Sequence, residues 1–171
     1  MENTDQEIRK ELLITAIENW LEDENPFSNI VFRQGLINEV TERLEDIDRN
    51  DVEYNWKLIT EDGYFRKRGN SRRITAKEID EAIDFGVDVP LDDGVQAEIL
   101  KILAEAEREN VKNPKVSREN LLNELDYDSE LIDYNLFYCQ SKGWADVDVY
   151  ISANPWEDAE ITRFGRDMVD V

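Results

Sequence analysis

Apolar residues recur along the chain at helical spacing, in segments that turn-forming residues separate. The clearest segment holds Val52, Trp56 and Ile59, which follow the i, i+4, i+7 spacing of one helix face. Asp48 precedes them at a position suited to an N-cap, and Gly63 follows at a position suited to a left-handed helix stop. The pattern therefore predicts an amphipathic helix with defined ends.

The same pattern returns 80 residues later, where 132–144 matches 52–64. Both copies contain a Tyr-Asn pair, and both end in a glycine followed by an aromatic residue. The apolar positions of the second copy, Ile132, Leu136 and Cys139, have the same spacing as those of the first. A repeat at this distance predicts two copies of one structural unit.

The segments around the two copies also correspond. Each copy is preceded by a long and a shorter amphipathic helix, and followed by two short strands and a closing helix. Thr75 and Thr162 are predicted to cap the closing helices, and Ser117 and Asp128 are predicted to cap two of the others. The predicted elements are helices 7–21, 34–44, 95–106 and 118–125, strands 64–68 and 144–151, and closing helices 76–85 and 163–169.

A segment rich in Pro, Gly and Asp, 87–94, separates the two copies and predicts a linker. The expected domains are therefore 1–86 and 95–171, each with three helices, a strand hairpin and a closing helix. This order resembles the winged helix-turn-helix superfamily of archaeal and bacterial regulators, and stretches 117–125 and 132–144 are the most similar to it. The resemblance implies a mainly α fold with small β-hairpins, arranged as two tandem winged helix-turn-helix domains.

Composition excludes several kinds of chemistry. The 171 residues include no histidine and one cysteine, Cys139, which excludes His-based catalysis, a disulfide within the chain and a thiolate metal cluster. Apolar runs do not exceed four residues, and the first residues are acidic, so we expect a cytoplasmic protein without a membrane span. Because there is also no glycine-rich phosphate loop, we expect no enzymatic activity, no cofactor and no metal.

The net charge is −21, from 20 basic and 41 acidic residues. The acids are scattered, which favours adaptation to a salt-rich (halophilic) cytoplasm over a dedicated basic partner. Residues 66–73 depart from this balance, because they hold five cations and no acid, whereas the other 163 residues hold 15 cations. We call residues 66–73 the basic hairpin. It suits a phosphate backbone, and the alternative is that it pairs with the protein's own acids or an acidic neighbouring subunit.

The resemblance implies that the third helix enters the major groove and that the hairpin contacts phosphates. We therefore expect the first domain to bind double-stranded DNA, as part of a transcriptional regulator. The candidate DNA-binding residues are Arg49, Asn50, Tyr54 and Lys57 on the third helix, and Arg66, Lys67, Arg68, Asn70, Arg72 and Arg73 in the basic hairpin. Glu53 shares the outward helix face, and the alternative for this face is a solvated surface.

The second domain lacks these features. Its third helix and its hairpin are acidic, and Phe137, Tyr150 and Trp156 predict either a protein contact or coverage of the domain's own small core. Its closing helix has apolar residues at Phe164 and Met168. We expect this domain to form a homodimer or to contact a partner. The alternative function is a tandem winged-helix scaffold of the chromosome-segregation or transcription-initiation type, which does not read DNA, and a DNA mimic is opposed by the basic hairpin.

Overall fold

The computed structural model describes residues 2–28, 30–68, 71–150 and 155–169, with all their side chains except those of residues 2, 3, 68 and 71. The described chain is mainly helical, with one antiparallel sheet of two strands and one of three. It divides into two compact units. Unit 1 comprises Met1–Asp23 and Asn29–Val89, and unit 2 comprises Glu24–Ser28 and Pro90–Val171.

Unit 1 combines helices with a small hairpin. Its elements are α1 (Glu2–Glu22), α2 (Arg33–Arg43), α3 (Arg49–Glu61), β1 (Phe65–Arg68), β2 (Ser71–Ile74) and α4 (Ala76–Asp84). Phe65 lies opposite Ile74 in the hairpin, and both side chains are buried. Val31 adds an isolated bridge at the side of β2, because its N–H donates to the Arg72 carbonyl at 2.8 Å. The residues before α2 thus contribute a third extended segment to the hairpin.

Unit 2 repeats this order of elements. They are α5 (Asp93–Glu109), β3 (Val116–Ser117), α6 (Arg118–Glu124), α7 (Ser129–Ser141), β4 (Ala145–Asp148), β5 (Asp158–Ile161) and α8 (Arg163–Val169). β5 lies between β3 and β4 and is antiparallel to both. β3 therefore occupies the place that Val31 has in unit 1, directly before the second helix and beside the return strand.

The predicted inward faces of the third helices are confirmed. The buried apolar residues include Val52, Trp56 and Ile59 in α3 and Ile132, Leu136 and Cys139 in α7. Gly63 and Gly143 end these helices with φ of 81° and 79°, which is the predicted left-handed conformation. The Asp48 side chain caps α3 by accepting from the Asn50 N–H at 2.9 Å. Asp128 occupies the N-cap position of α7, but its side chain makes no cap hydrogen bond.

The predicted threonine caps are confirmed in both units. The Thr75 hydroxyl accepts from the Glu78 N–H at 3.3 Å and donates to the Tyr64 carbonyl at 2.6 Å. Thr162 makes two similar bonds in unit 2, accepting from the Gly165 N–H at 3.1 Å and donating at 2.5 Å to the Gly143 carbonyl, which lies one residue earlier in the repeat than Tyr64 does. Each threonine thereby fixes the start of the closing helix to the start of the hairpin.

Several boundaries differ from the predicted ones. α1 begins at Glu2 instead of residue 7, and α5 extends to Glu109 instead of residue 106. The added residues are almost all polar, so the apolar spacing did not mark them. β4 ends at Asp148, three residues before the predicted end. The segment predicted as a linker contains Asp92, whose side chain caps α5.

The segment Glu24–Ser28 belongs to unit 2, although the predicted first domain included it. Asn25 turns this segment, because its side chain accepts from the Phe27 N–H at 3.0 Å. Phe27 is buried, and its ring lies edge-on to that of Phe137 with the centroids 5.4 Å apart. Unit 2 is therefore built from two separate stretches of the sequence.

The asparagine of the repeated Tyr-Asn pair is buried, and its hydrogen bonds explain why the repeat retains it. Asn55 accepts from Arg9 Nε at 2.8 Å. Its amide donates to Asp5 Oδ1 and to the Asp51 carbonyl, each at 2.9 Å. A buried amide must satisfy its donors and acceptors, so Asn55 ties the first helix of unit 1 to the third.

Asn135 has the corresponding role in unit 2. Its carbonyl oxygen accepts from the Asp92 N–H at 2.9 Å and from Gln96 Nε2 at 3.0 Å. Its amide donates to the Pro90 carbonyl at 3.2 Å and to the Leu131 carbonyl at 2.7 Å. These four bonds use the whole hydrogen-bonding capacity of the side chain, and they fix the N-terminal end of α5 to α7.

Candidate nucleic-acid interface

The basic hairpin sets cations against cations. Arg66 lies opposite Arg73 and Lys67 lies opposite Arg72 in the β1–β2 register. Residues directly opposite in an antiparallel pair have Cβ atoms about 5 Å apart, and like charges there are destabilising. An anion placed between such pairs would relieve the repulsion.

The four described cations of the basic hairpin fall into two groups. Arg66 and Lys67 are exposed, and neither forms an ion pair or hydrogen bond with any residue that the structure describes. Arg72 and Arg73 are half-buried and interact with other groups of the protein. Of the remaining candidates, Asn70 and the side chain of Arg68 lie outside what the structure describes. Half of the described positive charge is thus presented to solvent.

An open cleft of about 610 Å³ lies between α3 and the hairpin. Asn50, Tyr54 and Lys57 line it from α3, and Arg72 lines it from β2. The cleft therefore brings together four of the candidate residues. Arg33, the first residue of α2, also lines it. The sequence did not predict this residue, because it lies outside both the third helix and the basic hairpin.

The guanidinium of Arg49, one of the candidate DNA-binding residues, forms hydrogen bonds within unit 1. It donates to Glu53 Oε1 at 3.2 Å, to Gln34 Oε1 at 2.7 Å and to Asn38 Oδ1. Gln34 and Asn38 lie on α2, so Arg49 joins the start of α3 to the second helix. With its donors directed at these groups, Arg49 positions α3, and it does not line the cleft.

The acids that line the cleft each lie near a cation. Glu53 accepts from Arg49, and Glu61 Oε1 lies 3.9 Å from Lys57 Nζ. The basic lining residues Arg33, Lys57 and Arg72 outnumber these two acids. The cleft wall is consequently less negative than the protein as a whole, which carries twice as many acids as bases.

The corresponding face of unit 2 is covered. Asp133, which matches Glu53 in the repeat, is buried and accepts from Arg118 Nε and Nη2 at 3.2 and 2.9 Å and from Trp156 Nε1 at 2.8 Å. Tyr134, which matches the exposed Tyr54, is completely buried. Phe137 and Trp156 are also buried, which agrees with the second of the two alternatives, coverage of a local core, whereas Tyr150 is 53% exposed.

The hairpin of unit 2 is held by an internal ion pair. Lys115 Nζ lies 2.5 Å from Asp148 Oδ2 and 3.8 Å from Asp158 Oδ1. The hydrogen bond from Lys115 lowers the pKa of Asp148, whereas burial and the neighbouring Asp148 raise the pKa of Asp158. Lys115 is thus engaged by two acids, and the described part of this sheet has no surplus of cations for an anionic ligand.

Other chemistry finds little support in the described chain. Burial raises the pKa of the Cys139 thiol to about 12, which opposes a nucleophilic role. Among the described residues, no group of three or more His, Cys, Asp or Glu is arranged to hold a metal ion. The helices in this part of the chain are all too short or too polar to cross a membrane.

Comparisons of the chain with protein-family models, with curated proteins and with solved structures found no match. The assignment of a function therefore depends on the geometry of the units themselves.

Proposed function

We propose that both units are winged helix-turn-helix domains, and that unit 1 binds double-stranded DNA as part of a transcriptional regulator. The order of elements supports the class, since each unit has a helix, an extended segment, two helices, a hairpin and a closing helix. In each unit the extended segment pairs with the return strand of the hairpin. A helix following a short turn, with a hairpin beside it, is an arrangement suited to the major groove and its flanking phosphates.

The outward face of α3 supplies the groups for base contact. Asn50 and Lys57 are exposed, and Tyr54 is 56% exposed. An asparagine amide can pair with adenine through two hydrogen bonds, and a lysine can donate to guanine or to a phosphate. In this proposal Arg49 keeps α3 in place on α2 and does not touch the DNA.

The basic hairpin supplies the phosphate contacts, and it is the observation that carries the proposal. Arg66 and Lys67 project from an otherwise anionic protein with no partner among the described residues. Phosphates beside the groove would neutralise them and relieve the repulsion within the hairpin. Few such contacts give modest, salt-sensitive affinity, so a second DNA-binding copy in a dimer would strengthen binding.

The test is duplex binding over a salt series, for the wild type and for Arg66→Ala/Lys67→Ala. We expect the variant to bind more weakly and its slope of log K against log salt to be smaller by about 0.9 for each phosphate that it no longer neutralises. The control is Lys112→Ala/Lys142→Ala, which removes the same charge from exposed positions in unit 2. Equal weakening in both variants, or no wild-type binding at any salt concentration, would overturn the proposal.

The covered face of α7 leaves unit 2 without a helix surface for base contact, and we propose for it the other role that the sequence predicts, namely assembly. If the whole chain were an interaction scaffold that does not read DNA, the wild type and both double-alanine variants would show the same absence of duplex binding. The salt series therefore separates the regulator from the scaffold.

A further inference from the structure

The closing helix of unit 2 leaves apolar surface uncovered. Phe164 is 66% exposed and Met168, one turn later, is 49% exposed, although apolar residues of a short amphipathic helix are expected to face the core. The cause is Gly165, which is buried so closely that a Cβ on it would lie 1.9 Å from the Trp144 carbonyl oxygen. Because α8 packs against the rest of unit 2 with Gly165, the side chains of Phe164 and Met168 remain at the surface.

A groove of about 490 Å³ lies beside this surface, between α5 and α8. Ala97 and Ala104 of α5 and Met168 of α8 form part of its lining. Arg166 Nη1 holds the two helices together through both carboxylate oxygens of Glu107, at 2.7 and 2.9 Å. The groove is therefore a preformed recess with both apolar and charged residues in its lining, and the exposed side chain of Phe164 lies one turn before Met168 on the same helix.

The exposed side of α5 carries charges of alternating sign. Glu98, Lys101, Glu105 and Arg108 are all exposed and follow one another at spacings of three, four and three residues, so they form one stripe on the helix. Lys101, Glu105 and Arg108 also line the groove. The order along the stripe is acid, base, acid, base. When two such stripes run antiparallel, each acid lies opposite a base.

We propose that two copies of this chain pair through the α5–α8 groove of unit 2, with their α5 helices antiparallel about a two-fold axis near position 103. In that register Lys101 lies opposite Glu105 of the second copy, and Glu98 lies opposite Arg108. The two-fold axis repeats each contact, so four pairs of opposite charge flank the apolar centre. Phe164 and Met168 of each copy supply that centre. The proposal rests on the proposed function only for the assembly role given to unit 2.

The charge stripe selects this register over its neighbours. A shift by three residues in one direction places Glu98 opposite Glu105, and a shift in the other direction places Lys101 opposite Arg108. Both shifts oppose like charges, which costs free energy at an interface. A parallel arrangement in register would place each charged residue opposite the same residue of the second copy, so that like charges would face one another. The occupant that fits the groove is therefore a second copy of the same helix.

The first test is the molar mass in solution, measured by sedimentation equilibrium in the absence of DNA. We expect a dimer for the wild type and a monomer for Phe164→Glu/Met168→Glu, because four buried carboxylates would meet at the two-fold axis. Both positions are exposed in the single chain, so the fold should tolerate the change, and circular dichroism checks that it does. A wild type that is monomeric at every concentration would overturn the proposal.

The second test uses charge reversal. Lys101→Glu and Glu105→Lys each place like charges opposite one another in the homodimer, and we expect both variants to be monomeric. Mixed together, they form a heterodimer in which opposite charges face again, and the double variant Lys101→Glu/Glu105→Lys restores the homodimer. If the mixture stays monomeric, or if the single variants dimerise like the wild type, the proposed register is wrong.

A matched control separates this proposal from the DNA-binding one. Lys67→Glu and Glu42→Lys reverse exposed charges in unit 1, and we expect both to leave the dimer mass unchanged. Lys67→Glu should weaken duplex binding while the protein remains dimeric. Lys101→Glu should give a monomer whose basic hairpin is intact and which retains weaker, salt-sensitive binding. Each hypothesis can therefore fail without the other.

Discussion

The third helices α3 and α7 come from the same repeated pattern, but the outward face of α3 is exposed and that of α7 is covered. Their inward faces match, and each contains a buried asparagine that ties it to the first helix of its unit. On the outward side Tyr54 is largely exposed, whereas the matching Tyr134 is completely buried. A repeat in the inward positions thus preserves the fold, and the outward positions decide whether the helix can meet another molecule.

The position three residues after the tyrosines shows how little sequence change this requires. Lys57 of α3 lines an open cleft, whereas the matching Phe137 of α7 is buried against the ring of Phe27. An aromatic ring at that position creates apolar surface that must be covered. A lysine there keeps its charge in water and its position available to an anionic ligand.

The strongest way to break this comparison is to shorten both tyrosines. Tyr134→Ala removes a completely buried ring, and we expect a loss of about 4 kcal/mol in the free energy of unfolding. Tyr54→Ala removes an exposed ring and should change that free energy by less than about 0.5 kcal/mol, while weakening duplex binding. Urea denaturation measures both, and similar losses of stability would contradict the assignment of the two faces.

The acids that precede the tyrosines give the next effect. Asp133→Ala leaves Arg118 without its buried carboxylate and Trp156 Nε1 without its acceptor, and we expect a loss of about 3 kcal/mol. Glu53→Ala breaks an exposed ion pair with Arg49 and should cost less than about 0.5 kcal/mol. The two denaturation midpoints are compared directly. A cost for the Glu53 variant as large as that for Asp133 would show that α3 is also covered.

The third residue of each closing helix extends the comparison, since Glu78 and Gly165 both follow a capping threonine by three positions. Gly165→Ala forces a Cβ against the Trp144 carbonyl, and we expect a loss of about 2 kcal/mol from the shift of α8 that this requires. Thermal unfolding measures the loss. An alanine variant as stable as the wild type would mean that α8 moves freely, and that the exposure of Phe164 has another cause.

The carboxyl of Glu78 makes the free energy of unfolding depend on pH, and it lowers that free energy more as pH rises. Its carboxyl is completely buried without a hydrogen-bond partner among the described residues, and burial raises its pKa well above 4.5. The folded state therefore holds a proton that the unfolded chain releases. The stabilisation from this group is complete below about pH 4.5 and is lost as pH rises through the folded pKa.

The free energy of unfolding of Glu78→Gln should consequently fall less between acid and neutral pH than that of the wild type. Denaturation at several pH values measures the slope for both proteins. Glu81→Gln, on the same helix but half-buried, serves as the control and should retain the wild-type slope. A slope unaffected by Glu78→Gln would show that the buried carboxyl keeps its ordinary pKa.

The sequence predicted the features that depend on local patterns. Apolar spacing identified the buried sides of α3 and α7, the capping threonines followed from residue type and position, and Gly63 and Gly143 followed from the need for a positive φ. These predictions held because a single stretch of chain determines each of them. The basic hairpin was found in the same way, from the charges of eight consecutive residues.

The features that were missed depend on contacts between distant residues. The guanidinium of Arg49 is directed at Gln34 and Asn38, which lie on a different helix and 15 and 11 residues away in the sequence. The coverage of α7 requires Trp156 and Phe27, neither of which adjoins α7 in the sequence. The Tyr-Asn repeat was visible, but the burial of its asparagines could not be read from a polar residue type.

The interleaving of the two units along the chain has a consequence for dissecting the protein. A cut between Val89 and Pro90 leaves Glu24–Ser28 on the N-terminal fragment, although those residues belong to unit 2. The C-terminal fragment would then lack Phe27, and the side of the Phe137 ring that Phe27 covers would be open to water. The C-terminal half is thus not a self-sufficient module, and a transplant of the second unit into another protein must carry a peptide from the first half with it.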